Sequence, residues 1–542
     1  MTAATTTGPA SSARPTGPAG PTGRGHQGPW VARIAVVTAA IVAAVVAHGN
    51  LLPVLGLVAA LVAVLIAARP ETAALVAVGL IFSNATVIAV HDHGIPGAVA
   101  LLVPILLLVT AGYHVFAHRQ PILIPRAALW MVAFLVVQMV GALLARDPAT
   151  SVATVQTFLL EGVVLFLLLT NAVRGWRLVR LAAIVLVVVA GFLGTLSLFQ
   201  EVTGADHQDF AGFSTMSNAV INRASGGGSA RHAGPIGEQN RWAQSLAVTV
   251  PIAVALGWKD RSRAVRLLAK VSGVGIVVGI VLTYSRGSVV GLVLMVLIAV
   301  IVRWVRLRTA LIVAGVAVGT LLVFAPTFAN RATTVVTASS SVRSTTGGAT
   351  AQDGSFANRS TEATAAIAVF LHHPVVGVGT GLFPTYFQDQ ARAQGADRIV
   401  GVDREAHSLY LGLAAETGLL GLVTFACFAG SLLTALGKVR RRYLTTDPDA
   451  AALATGFGLA IVTYLTTGLF LHFAYIRYFW LLAGLAAAMG MVNDAGTPAV
   501  LHPHPPKGRS HDVHSENPSP VADPDRHPRA GGDRRAPGAG RA

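Results

Sequence analysis

The feature of the sequence that most constrains its fold is a series of long apolar blocks. Several blocks run for about 18 residues or more with few charges, which is the length of helix that crosses a bilayer. The chain is 53% hydrophobic and 12% charged, and a soluble protein carries roughly twice that charged fraction. The sequence therefore predicts an all-α, polytopic membrane protein and excludes a string of soluble domains.

About 14 membrane helices fit these blocks. Their approximate spans are 31–47, 51–68, 72–90, 97–117, 127–145, 152–172, 177–199, 240–258, 266–284, 287–303, 308–328, 406–436, 451–471 and 474–492. Two long connections, 200–239 and 329–405, divide the helices into three groups, and all other connections are short.

The distribution of basic residues predicts the orientation of these helices. If the N-terminus is cytoplasmic, the inner short loops carry 18 Lys and Arg residues, and the outer short loops carry only Arg146, Arg286 and Arg477. Such a bias places both termini in the cytoplasm and both long connections outside the cytoplasmic membrane. The net charge of +16 is therefore mostly a topology signal and requires no nucleic-acid partner.

The expected fold is thus a GT-C-like polytopic bundle of about 12–14 transmembrane helices with two long extracytoplasmic loops. Its segments are a disordered cytoplasmic tail (1–29), N-terminal transmembrane helices (30–199), an extracytoplasmic loop (200–239), central transmembrane helices (240–328), a large extracytoplasmic loop (329–405), C-terminal transmembrane helices (406–492) and a second disordered cytoplasmic tail (493–542). Both tails have compositions too poor in apolar residues to fold alone.

Arg286 is the most conspicuous exception to the charge pattern, because it stands at the tip of a tight hairpin between two apolar helices. A guanidinium at a membrane edge costs free energy unless it is paired or used, and its rigid fork suits phosphate oxygens. The alternative is a snorkelling arginine that ends a helix. The sequence alone leaves both interpretations open.

The first long connection ends in a second cluster of polar residues: Arg231, Glu238, Asn240 and Arg241. They stand at the start of a predicted membrane helix, and a helix N-terminus favours anions. The alternative is that Glu238 and Asn240 cap the helix while the arginines contact lipid headgroups.

The second long connection turns apolar at 364–371, which suggests a short helix on the membrane surface. The glycine-rich stretch 377–381 that follows predicts a tight turn back to the membrane. His407 then opens a membrane helix from the outside, where Ser408 can cap it, and His407 and Tyr410 share a helical face. His407 could be an interfacial residue or a general base.

Two other groups have competing interpretations. Glu161 lies mid-helix, where a carboxylate is either functional or paired with an Arg or Tyr of a neighbouring helix. The exposed run His91-Asp92-His93 could hold a metal, but a solvated polar run is the simpler interpretation. We expect neither a metal nor a cofactor.

Four motifs, in this order along the chain, resemble the O-antigen ligase and polymerase superfamily over roughly residues 200–440. They are Arg231-x-x-Gly234 leading to Asn240 and Ala243; Thr283-Tyr284-Ser285-Arg286-Gly287; Asn358-Arg359 followed by His373-Pro374-x-x-Gly377-x-Gly379; and His407-Ser408 followed by Gly418 and Gly421.

The resemblance implies a glycan transferase that uses an undecaprenyl- or decaprenyl-diphosphate-linked donor and a glycan, lipid or protein acceptor among membrane lipids. Arg231 and Arg286 would hold the diphosphate, Arg359 would support them or guide the glycan, and His407 would act on the acceptor hydroxyl. A single displacement of this kind inverts the anomeric centre and requires no metal. The remaining expected substrate-binding residues are Glu238, Asn240, Arg241, Tyr284, Ser285 and Tyr410.

Two other functions fit a chain of this kind. A transporter or flippase of a lipid-linked oligosaccharide would also have many helices and arginines near a diphosphate, but such proteins usually contain internal repeats and broken helices at the midplane. A structural scaffold for envelope synthesis would leave the placement of the arginines and the histidine unexplained.

Overall fold

A computed structural model of the chain describes residues 69–205, 208–216, 231–312, 351–393, 404–471 and 477–492, together with positions 66 and 315. The predicted tails, the predicted helix 31–47, and almost all of the predicted helices 51–68 and 308–328 lie outside these residues.

Within the described residues, the regular secondary structure is almost entirely helical. The helices are α1 (Glu71–Phe82), α2 (Ala85–His91), α3 (Gly97–Ala117), α4 (Arg126–Leu143), α5 (Pro148–Ala172), α6 (Gly175–Thr203), α7 (Gln239–Ala247), α8 (Val250–Lys259), α9 (Arg263–Leu282), α10 (Arg286–Ile301), α11 (Ala351–His372), α12 (Phe383–Ala393), α13 (Leu409–Tyr443), α14 (Pro448–Thr467) and α15 (Arg477–Met491). One antiparallel pair of strands, β1 (Thr215–Met216) and β2 (His232–Gly234), lies in the first long connection.

Seven of these helices are long and apolar enough to cross a membrane, and the bent pair α1–α2 would make an eighth. This confirms an all-α, polytopic membrane protein. The eleven predicted spans that fall in the described part of the chain all correspond to helices, although some are shorter or interrupted.

Two predicted spans are broken by particular residues. The predicted helix 72–90 bends by 57° between α1 and α2, where Asn84 has a left-handed backbone with φ of 60°. The predicted helix 240–258 is divided into α7 and α8, and Pro251 lies in the first turn of α8. Proline has no N–H to donate to the preceding turn, so it starts a new helix more readily than it continues one.

Helices α6 and α9 pack closely against each other through small residues. A Cβ at Gly194 would lie 2.2 Å from the carbonyl oxygen of Gly275, and a Cβ at Gly279 would lie 2.8 Å from Cα of Gly194. Gly275 and Gly279 form a G-x-x-x-G pattern, which brings helix backbones together in membranes. This contact fixes the helix α9 that leads into the Arg286 hairpin.

The helix in the second long connection is longer than the sequence suggested. The predicted surface helix 364–371 is the last part of α11, which spans Ala351–His372. Its inner face packs on α12 and on the residues before α13 in a small separate core that includes Ala365, Ala366, Val369, Phe383, Phe387 and Ala406. This packing joins α11 to the start of α13.

The predicted helix 406–436 is also interrupted, because Gly418 inside α13 has φ of 63° and ψ of −164°. The break frees backbone groups that the segment after α11 satisfies. Val378 and Gly379 donate N–H groups to the carbonyls of Ala415 and Glu416, each at 3.0 Å. In return, Leu419 donates its N–H to the carbonyl of Pro374 at 2.8 Å and Leu420 donates to that of Val375 at 3.2 Å.

The glycines of this segment form the expected tight turn and allow close approach. Gly377 and Gly379 have φ of 70° and 103°. A Cβ at Gly377 would lie 2.3 Å from the backbone of Glu416, and a Cβ at Gly379 would lie 2.8 Å from Ala145 at the end of α4. The segment is therefore wedged between α13 and the α4–α5 hairpin, and non-helical backbone at this depth is tolerated because protein covers it.

Candidate functional site

The hairpin between α9 and α10 presents Arg286 at one end of the bundle. Tyr284 has a left-handed backbone with φ of 51°, and Ser285 is buried, with its hydroxyl 3.3 Å from that of Ser288. Arg286 is the first residue of α10 and its side chain is exposed. No partner for the Arg286 guanidinium occurs among the described residues.

Arg231 is hydrogen-bonded to the backbone of this hairpin. Its Nε donates to the carbonyl of Thr283 at 2.9 Å, and its Nη2 donates to the carbonyl of Tyr284 at 3.2 Å and to Oδ1 of Asn240 at 3.3 Å. Arg231 therefore fixes the backbone next to Arg286 as well as adding a positive charge there.

The three arginines of the predicted outer short loops differ in their partners. Nη1 of Arg146 lies 2.8 Å from the carboxylate of Asp389. Arg477 contacts Oε1 of Glu161 at 3.4 Å. Within the described residues, Arg286 has no such carboxylate partner. The pairing with Arg477 confirms the interpretation of Glu161 as one partner of an ion pair between helices.

Glu238 is the N-cap residue of α7, and its side chain accepts hydrogen bonds from the free N–H groups of the first turn. Its carboxylate accepts the backbone N–H groups of Asn240 at 3.1 Å and Arg241 at 2.6 Å, as well as the side-chain amide of Asn240 at 3.0 Å. Because a carboxylate of the protein already occupies this anion site, the contacts favour the capping interpretation for Glu238 over direct binding of phosphate.

Arg241 joins the two predicted loops. Its guanidinium forms an ion pair with the carboxylate of Glu405, and the carbonyl of Glu405 lies 3.0 Å from Nδ1 of His407. The segment that carries Arg231 and Arg241 is therefore in contact with the segment that carries His407.

His407 lies just before α13 and not on its face. Its backbone is left-handed, with φ of 42°, a conformation that non-glycine residues rarely adopt and that recurs at functional sites. The predicted helical face shared with Tyr410 is therefore wrong, because α13 begins only at Leu409. Ser408 stands at the N-cap position but makes no side-chain capping hydrogen bond.

The sequence analysis missed the strongest partner of His407. Nδ1 of His407 lies 3.0 Å from Oε2 of Glu362, whose side chain is 1% exposed, while that of His407 is 38% exposed. The other oxygen of Glu362 accepts a hydrogen bond of 3.0 Å from Arg404. A signal was available for Glu362, since it lies one helical turn after Arg359 in an otherwise uncharged stretch.

The electrostatics of this pair follow from its burial and its contacts. The Glu362 carboxylate 3.0 Å away raises the pKa of His407. Burial and the charge of Arg359 lower that pKa, but the net position is above the ordinary value of 6.5. Burial raises the pKa of the Glu362 carboxyl, but the close contacts with His407 and Arg404 and their charges outweigh burial and hold that pKa below its ordinary value.

Arg359 and Tyr410 complete the predicted set. Arg359 is exposed on α11, close enough to His407 for its charge to affect the imidazole. The hydroxyl of Tyr410 donates to the carbonyl of Leu465 at 2.7 Å, so it ties α13 to α14. Tyr410 is therefore held by a structural hydrogen bond.

A continuous chain of contacts thus connects the residues that the sequence analysis singled out. It runs from the Arg286 hairpin through Arg231 and Asn240 to Arg241, then through Glu405 to His407. Within the described residues, no three His, Cys, Asp or Glu side chains come together as a possible metal site. The arrangement offers an exposed guanidinium fork for an anionic leaving group and an imidazole for proton transfer.

Part of this region is similar to a known protein family. Residues 271–426 match a family model described as O-antigen ligase. The match includes the Arg286 hairpin, α11 and the start of α13 with His407, whereas Arg231 and Arg241 lie before it. No curated protein matches the chain.

Proposed function

Because residues 271–426 match a family model described as O-antigen ligase, we propose that this membrane protein transfers a glycan from an undecaprenyl- or decaprenyl-diphosphate carrier to an acceptor hydroxyl. The reaction would take place at the outer face of the cytoplasmic membrane, where the donor's diphosphate lies at headgroup level. The observation that supports it best is the unpartnered guanidinium of Arg286, within the described residues, on the same contact network as His407.

In the proposed reaction, His407 is the general base. Its Nε2 accepts the proton of the acceptor hydroxyl as that oxygen attacks the anomeric carbon of the donor glycan. A bond from the acceptor oxygen to the anomeric carbon forms, and the bond from that carbon to the diphosphate oxygen breaks. This single displacement inverts the anomeric centre.

Arg286 would bind the departing diphosphate. The electron pair of the broken bond stays on the leaving oxygen, and a guanidinium held at that position stabilises the charge as it develops. Arg231 adds charge and keeps the hairpin in place, and Arg359 is positioned on the exposed side of α11 to support the diphosphate or guide the glycan. We propose that these guanidiniums stabilise the departing diphosphate without a metal.

Reconstitution tests the proposal against a lipid-linked oligosaccharide transporter. The purified protein in vesicles is supplied with a polyprenyl-diphosphate glycan and candidate glycan, lipid and protein acceptors, and the products are weighed by mass spectrometry. The proposal expects a glycosylated acceptor and free polyprenyl diphosphate, with equal yield in a chelator. Movement of intact donor across the bilayer without any new product would support the transporter instead.

The identity of the acceptor separates the two reactions of the family. A product with one glycan on a lipid or protein acceptor indicates ligation, whereas a ladder of lengthening glycans on the carrier indicates polymerisation. Both products require the same donor site.

A further inference from the structure

We propose that Glu362 is a positioning residue that fixes the His407 ring with Nε2 as its basic atom, and that Arg404 holds Glu362 in turn. This inference deepens the proposed function and rests on it for its catalytic consequence. The contacts that carry it join two separate parts of the chain: α11, which carries Glu362, and the segment before α13, which carries Arg404 and His407.

The first step concerns the position of the ring hydrogen. Nδ1 of His407 lies 3.0 Å from a carboxylate oxygen of Glu362 and 3.0 Å from the carbonyl oxygen of Glu405. Both neighbours are acceptors only, so Nδ1 carries hydrogen, and in the neutral ring the lone pair lies on Nε2. A base held by a third group in this way follows the logic of the catalytic triads.

The second step concerns the burial of Glu362. Its side chain is 1% exposed, and an isolated carboxylate at such a position would take up a proton or require a cation. Arg404 supplies that cation at 3.0 Å, with a side chain that is 24% exposed. Arg404 is thus a second cationic partner of Glu362, and both it and His407 favour the ionised carboxylate.

The third step concerns the charges that surround the imidazole. Glu362 from α11 is the carboxylate that contacts it, and Arg359 from α11 and Arg404 from the preceding segment are the nearby cations. The carboxylate of Glu405 is turned to Arg241. Glu362 is therefore the only group in this set whose loss would lower the basicity of His407.

This arrangement has a consequence for pH. The pKa of His407 is raised above 6.5, so the neutral ring that accepts a proton becomes predominant only at a higher pH than for a free histidine. Transfer should therefore increase with pH through a midpoint above 6.5. Removing the charge of Glu362 should move that midpoint down and lower kcat, because the imidazole becomes a weaker base and only the carbonyl of Glu405 is left to hold hydrogen on Nδ1.

The test is the rate at which diethyl pyrocarbonate modifies His407 as a function of pH, read peptide by peptide by mass spectrometry. The reagent attacks the neutral ring, so the midpoint reports the pKa of this one histidine without any glycan substrate. Glu362→Gln should shift the midpoint downward, and Glu362→Asp should keep it above 6.5 because it retains the charge. The matched control is Asp389→Asn, which breaks the exposed ion pair with Arg146 and should leave the midpoint unchanged.

An unchanged midpoint in Glu362→Gln, or an equal shift in Asp389→Asn, would overturn the inference. The corresponding activity measurement is the pH profile of transfer, in which Glu362→Gln should lower kcat by roughly 10²- to 10⁴-fold with little change in KM. Failure of the wild-type protein to transfer glycan would refute the proposed function, whereas the labelling experiment would still decide whether Glu362 controls His407.

Discussion

At the residue scale, the placement of single charges carries the functional argument. Three arginines stand in turns that otherwise avoid positive charge, and two of them are neutralised by Asp389 and Glu161. Within the described residues, the third, Arg286, is exposed and has no partner. A guanidinium that the fold positions but does not neutralise is suited to bind an anionic ligand.

Replacing Arg286 with Lys should lower the rate of glycan transfer by roughly 10- to 100-fold. The ammonium keeps the charge but cannot make the paired hydrogen bonds of the guanidinium fork, and one such bond to a charged group contributes about 1.5–3 kcal/mol. Arg308→Lys, at an exposed position beyond the C-terminal end of α10, is the matched control and should transfer at the normal rate. Equal rates in the two variants would contradict a role for the fork.

The sequence could identify Arg286 and His407, since both interrupt a regular pattern of charge or hydropathy. It could not identify Glu362 as the partner of His407. That contact depends on how α11 packs against α12 and the segment before α13, and this packing is made by small apolar residues with no distinctive spacing. The capping role of Glu238 was foreseen as an alternative, because capping depends only on neighbouring residues.

At the element scale, interruptions of helices position the site. Every span that hydropathy predicts in the described part of the chain corresponds to helix in the structure. The hydropathy pattern did not reveal the breaks at Asn84, Pro251 and Gly418. A window average does not register one residue with unusual backbone angles. The groups that satisfy the break at Gly418 also come from a segment some 40 residues earlier, which local patterns do not reveal.

Replacing Gly418 with Ala should destabilise the protein by about 3 kcal/mol or more. Alanine strongly disfavours φ of 63° with ψ of −164°, and its Cβ would lie 2.3 Å from the carbonyl oxygen of Val375. Thermal unfolding in detergent measures the effect. Gly430→Ala in the same helix meets nothing within 4 Å and should be neutral or stabilising by up to about 1 kcal/mol. Similar melting temperatures for both variants would show that the break is not required.

At the scale of the whole molecule, the proposal requires one orientation in the membrane. The network from Arg286 to His407 lies at the end of the bundle that the distribution of Lys and Arg predicts to be outside. The helices themselves could be recognised from hydropathy, but the side of the membrane on which the site lies rests on charge bias alone.

The lone cysteine makes this orientation measurable. In a Cys427→Ser background, an impermeant maleimide should label Arg392→Cys on α12 in intact cells, and should label Arg441→Cys at the end of α13 only after the membrane is opened. Both positions are exposed, so accessibility differs only by the side of the membrane. The reverse pattern would place the site in the cytoplasm and remove the proposed donor from reach.

The most direct test of the central claim is glycan transfer by His407→Ala in reconstituted vesicles, measured as the mass of the product. We expect the wild-type protein to form glycosylated acceptor and release polyprenyl diphosphate, and the variant to insert normally but form no product above background. Product formation by His407→Ala at the wild-type rate would show that the imidazole does not accept the acceptor's proton.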